Sequence, residues 1–174
     1  FQSMLGYLRG HDNRVKRYAL PGFFVFQYNL IARMDDTSKF RMENLTQCHD
    51  FDFVLKGRLN WSKNVHEERD APNQILLGAM DPQHCILRGL AIHLETFIES
   101  GEGALTPLVL GLGEGGDDDD IEAIAARTNK KIQATLKNEV LNRPEFVHLV
   151  EDGPVGSHSV QKLASTHARK NGCG

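Results

Sequence analysis

From Asp81-Pro82 onward the chain repeats apolar residues at helical spacing for longer than anywhere else. Cys85, Ile86, Gly89, Leu90, His93, Leu94, Phe97 and Ile98 fall on one side of the helix this predicts. His93 on that stripe reads as a core histidine rather than a ligand. Ile121, Ile124, Ala125, Thr128, Ile132, Leu136 and Val140 continue at the same spacing, and Arg143-Pro144 ends that second helix. Pro21 suits a first helical position, and Phe23, Phe24, Phe26, Leu30 and Ile31 make a greasy helix running to about Met34. Between these runs, Phe51 to Leu55 and Arg58 to Trp61 alternate apolar and polar residues around Lys56-Gly57, which predicts a hairpin. Asn73 to Leu77 is a further short strand.

At 174 residues this is one domain with room for a proper core. Residues 5–20 are polar and basic and read as an arm or a frayed helix. Phe1-Gln2-Ser3-Met4 resembles the scar of a protease-cleavable expression tag and is left out of the expected fold. No apolar run is long enough to span a membrane. Cys48, Cys85 and Cys173 are far apart and in no Cys-x-x-Cys arrangement. That argues for a reducing compartment, nuclear or cytoplasmic, and against a disulfide framework or structural zinc.

The net charge of −3 is the wrong sign for a nucleic-acid binder, but its distribution is uneven. Asp117 to Asp120 alone contribute −4, leaving the remaining chain at +1. Residues 56–64 carry Lys56, Arg58 and Lys63 without an acid, and residues 153–174 carry Lys162, Arg169 and Lys170 without one. Arg9, Arg14, Lys16 and Arg17 outweigh Asp12 near the start. Gly111 to Gly116 satisfies Gly-x-Gly-x-x-Gly after Leu108-Val109-Leu110, the outline of a dinucleotide site. The four aspartates that follow would stand where the pyrophosphate must sit, each costing on the order of 1 kcal/mol even in water. The run therefore reads as a surface loop whose aspartates open a helix, and no dinucleotide is expected.

The segment Ser157 to Gly172 reads as a helix with a start and a stop. Gly156 and Ser157 offer a turn and a capping hydroxyl, and Gly172 stands where a left-handed terminal residue favours glycine. Val160, Leu163, Ala164, His167 and Ala168 make its apolar face. His158 in the first turn and Gln161 one turn later lie on one side, where helical N–H groups favour an anion.

This segment resembles the second signature box of tyrosine recombinases, which runs His-x-x-Arg-His, then an Ala-Thr-His step, then Asn-Gly. His158, Val160, Thr166, His167, Asn171 and Gly172 fall in register, and Gln161 stands where the family has arginine. The wording is most similar to eukaryotic Crypton-like recombinases. Arg33, with Asp36 three residues later, resembles the first box, Arg-x-x-Glu. Lys63, in Ser62-Lys63-Asn64, matches the family's catalytic lysine.

The resemblance covers residues 21–174 and implies an α+β fold, mainly helical, with a small antiparallel sheet at one edge. It implies duplex DNA as partner, with assembly on DNA as a homo-oligomer in keeping with it, and no cofactor or metal. Arg33 would fork onto non-bridging phosphate oxygens, Asp36 would aim it, Lys63 would protonate the leaving 5′ oxygen, and His158 would assist proton transfer. Lys162 adds a phosphate contact. Gln161 carries no charge, and losing one preorganised stabiliser costs roughly 10²–10³ in rate. The family's tyrosine nucleophile lies beyond the second box, whereas Tyr7, Tyr18 and Tyr28 all precede the first. The expectation is a C-terminally truncated catalytic core that binds DNA without cleaving it. A domesticated non-catalytic DNA-binding module and an interaction domain without DNA affinity are the alternatives.

Overall fold

The computed structural model describes residues 1–13, 15–59, 73–100, 121–147, 155–156 and 158–172. The chain runs α1 (Gln2–Arg9), a π-turn (Val15–Ala19), α2 (Leu20–Asn29), α3 (Met34–Ser38) and a 3₁₀ turn (Met42–Asn44). It continues through β1 (Leu45–Gln47), β2 (Leu55–Arg58), β3 (Asn73–Leu76), α4 (Ile86–Ser100), α5 (Ile121–Thr135), a second π-turn (Leu136–Val140) and α6 (Ser159–Lys170). The fold is α+β and mainly helical, with one three-stranded antiparallel sheet in the order β1-β2-β3.

Helix α2 is the axis of the molecule. Phe23, Phe24, Val25 and Phe26 are consecutive and all buried, so the helix has no solvent face and must be wrapped. The first π-turn, α1, α3, α4 and α6 all pack on it. It crosses α4 where Gly22 meets Gly89: a Cβ on Gly22 would lie 3.9 Å from the Gly89 carbonyl oxygen. Helix α4 starts at Ile86, after Cys85, and the side chains of Phe97, Ile98, Ile121 and Ile124 lie outside the described residues; the rest of each predicted stripe can be followed. Ile86, Leu90 and His93 are buried on α4, and Ala125, Thr128, Ile132, Leu136 and Val140 along α5 and its π-turn.

Three expectations are corrected. Helix α2 ends at Asn29, short of Met34, because Ile31 turns left-handed at φ 50°. The Ile31 N–H donates to the Tyr28 carbonyl (3.2 Å) and the Ala32 N–H to the Gln27 carbonyl (3.1 Å), the two bonds of a Schellman stop. Second, Lys56-Gly57 is not a hairpin turn but the middle of β2, paired to β1 through Leu45↔Gly57 and to β3 through Gly57↔Gln74. Glycine is there for closeness: a Cβ would stand 3.3 Å from both the Phe40 ring and Leu76. The turn lies earlier, closed by the Cys48 N–H on the Val54 carbonyl (3.0 Å), with Phe53 at φ 61° and almost fully exposed.

Third, the start of the chain is no loose arm. Residues 2–9 form α1, and Met4, Leu5 and Leu8 enter the same core cluster as Phe23 and Phe24. Phe1 stacks on Tyr28 at 5.0 Å between ring centroids. Three apolar residues on one face of a short helix suffice, because a hydrophobic wall is waiting for them.

Candidate functional site

Helix α6 carries no acidic residue, and Lys162, Arg169 and Lys170 along it are exposed. Its buried line is narrower than the predicted face. Ala164 is buried and Val160 packs on the core, while Leu163 is 44% exposed. The helix begins at Ser159, with His158 as an exposed N-cap whose side chain makes no capping bond. The expected hydroxyl cap at Ser157 lies outside the described residues. Instead the Ser159 hydroxyl accepts from the Gly156 N–H at 2.9 Å. Gln161 follows one turn in, half-buried, and Gly172 takes the expected left-handed φ of 82°.

A hydrogen bond ties this helix to the molecular axis. Tyr28 Oη lies 2.6 Å from His167 Nδ1, joining α2 to α6 across most of the sequence. Burial pushes the Tyr28 phenol above its ordinary pKa, so it stays protonated in this bond. Phe1 and His84 stack on the same tyrosine, and His84 Nδ1 lies 2.9 Å from Asp81 Oδ2.

Arg33 follows the Schellman stop and serves as the N-cap of α3, in extended conformation, with its side chain half-buried. Asp36 is the third helical residue, and the Arg33 backbone N–H lies near enough to its carboxylate to favour the charged form. Burial raises the Asp36 pKa, opposed by the Arg33 backbone N–H and by the charges of Arg33 and Lys39. Arg-x-x-Asp therefore has a plain structural role as a helix start.

The rest of α3 is pinned to α5. The Ser38 hydroxyl lies 2.6 Å from Asn129 Oδ1, and Lys39 Nζ donates to Glu122 at 2.7 Å and pairs with Asp35 at 3.2 Å. Among the described residues, no hydrogen bond or ion pair links Arg33 or Asp36 to His158, Gln161 or Lys162. Both segments pack on α2, which ends at Asn29. Lys63 and the glycine run 111–116 lie outside the described residues.

Sequence reasoning passed over the Tyr28–His167 bond and the joint role of Arg9, Arg17 and Arg88, which line one cleft. Each residue is ordinary in its own segment, and only the packing of α1 and α4 on α2 assembles them. No family model, curated protein or solved structure matches this chain.

Proposed function

We propose that this chain is a duplex-DNA-binding core of the tyrosine recombinase type that holds phosphates without cleaving them. The observation that carries the reading is the acid-free helix α6, locked by Tyr28 and His167 onto the helix that leads directly into Arg33. Exposed Lys162, Arg169 and Lys170 supply a cationic stripe on a molecule whose net charge is −3. Arg33, steadied at the cap of α3, is the forked donor for one phosphate, and His158 at the open end of α6 reaches a neighbouring one. Lys63 belongs to the same reading as the general acid of the family chemistry. Gln161 withholds the second guanidinium, so charge building on a scissile phosphate has too little to stabilise it.

The test is binding of labelled duplex DNA across a salt series. Four phosphate contacts, by Arg33, Lys162, Arg169 and Lys170, give a slope of log K against log salt of about −3.6. Affinity then falls about a hundredfold between 50 and 200 mM salt. Arg33→Ala flattens the slope by about one, and Gln161→Arg tightens binding. An absence of binding at 50 mM salt, or an Arg33→Ala protein indistinguishable from the parent, would falsify the reading.

A further inference from the structure

On the other end of α2 from Arg33, a cleft of about 480 Å³ opens between α1, the first π-turn, α2 and the start of α4. Its size falls within the range of small-molecule sites. Three guanidinium groups line it: Arg9 from the end of α1, Arg17 from the π-turn and Arg88 from α4. Gly22 and Gly89 line it as well, at the crossing where the two helix backbones come close. Pro21, Tyr18 and Ile92 supply apolar wall.

The arginines are fixed by neutral groups. Arg9 Nη2 donates to the Gln83 carbonyl at 2.7 Å, Arg17 Nε to the His11 carbonyl at 2.8 Å, and Arg88 Nη1 to the Pro82 carbonyl at 3.3 Å. Each bond orients a guanidinium while leaving its charge and most of its five donors unused. The acid close enough to act on Arg9 is Asp81, and its oxygens are committed elsewhere. They accept from the Gln83 N–H at 2.8 Å, contact His84 at 2.9 Å and receive the Gln2 amide at 3.5 Å. Among the described residues, none of the three arginines forms an ion pair. Burial first, and then the charge of Arg88, lower the Arg9 pKa, opposed by Asp81. Like charges gathered around a concave site, and held there by carbonyls, await a counter-charge.

We propose that this cleft binds a small phosphorylated ligand, its phosphate gripped by Arg9, Arg17 and Arg88 and its remainder lying against Pro21, Tyr18 and Ile92. A phosphate dianion matches the charge of three arginines lining one cleft, and each guanidinium offers paired donors for its oxygens. A small ligand is favoured over a nucleic-acid backbone because Arg9 and Arg17 are half-buried between helices, whereas a duplex would touch exposed Arg88 first. The site uses none of the residues assigned to DNA, so the two readings stand or fall separately.

Isothermal titration of the full chain with adenosine monophosphate and with inorganic pyrophosphate, at constant ionic strength, tests this. Saturable one-to-one binding is expected, with a Tm that rises with the logarithm of ligand concentration above Kd. Arg88→Ala, at an exposed position that leaves the circular dichroism spectrum unchanged, weakens it at least tenfold. Arg17→Lys gives an intermediate loss, and Arg33→Ala has no effect. Tighter binding of the nucleotide than of pyrophosphate supports contact with the apolar wall; equal binding supports recognition of the phosphate alone. The proposal is overturned if neither ligand gives saturable heat, or if Arg88→Ala and Arg17→Lys bind as the parent does. It is also overturned if a short duplex displaces the nucleotide and loses affinity in Arg88→Ala, which would make the cleft part of a nucleic-acid face.

Discussion

Ile31 holds a conformation that β-branched side chains rarely adopt, at φ 50°. The left-handed region costs roughly 1–2 kcal/mol for most L-residues, and asparagine tolerates it better. Ile31→Asn should therefore raise stability by about 0.5–1 kcal/mol in urea denaturation, even though the side chain it removes is only 40% exposed. A fall of that size would mean the Schellman stop is not formed by residue 31. Asp36 gives a prediction in pH. Its folded pKa is raised by burial, so its contribution to stability is full below the ordinary aspartate range and is lost as pH rises through the raised value. Asp36→Asn keeps an acceptor for the Arg33 N–H and removes the buried charge. The variant should gain on the parent protein between pH 3.5 and pH 7; a gap that is flat with pH, or closes, would remove burial as the cause. In the sequence Asp36 reads as an acid three residues after Arg33, at the end of an apolar helix; that it opens a helix of its own is a finding of the structure. Its burial is another, because that depends on what α3 packs against.

Among the elements, α3 is too short to persist alone and is held by its contacts with α2 and α5. Ser38 is buried, with its hydroxyl shared between the Met34 carbonyl at 2.7 Å and Asn129 at 2.6 Å. Ser38→Ala should cost about 1–2 kcal/mol. Paired with Asn129→Ala in a double-mutant cycle, it should show a coupling of at least about 0.5 kcal/mol. Additive losses would show that the two helices are joined by other contacts. The same reasoning explains which elements the sequence discloses. α4 and α5 sustain one period over several turns, and a run of that kind has one reading. β1 is three residues long and carries no pattern of its own; pairing with β2 is what makes it a strand.

At the scale of the whole molecule, the central fact is that α2 is buried on every side. α1 closes part of that surface, with Leu5 wholly buried and Leu8 nearly so. Leu5→Ala should lower stability by about 3 kcal/mol, near the middle of the range for buried leucines. A loss under about 1 kcal/mol would make α1 a frayed helix rather than part of the core. Both proposed anion sites depend on the same helix, one beyond its C-terminal end and one beside its N-terminal end. A destabilised α2 should therefore weaken both together, whereas Arg33→Ala and Arg88→Ala separate them.

The sequence by itself determined the long helices, the third strand and the glycine at the end of α6, because periodicity and left-handed backbone are local properties of the chain. It also placed Arg33 beside a helix terminus and left α6 without an acid. Only the tertiary structure decided that Gly57 lies inside a strand beneath Phe40, that residues 2–9 belong to the core, and that Arg9, Arg17 and Arg88 share one cleft. Each of these turns on which surfaces meet, and residues far apart in the chain carry no local mark of the partner that packing will give them.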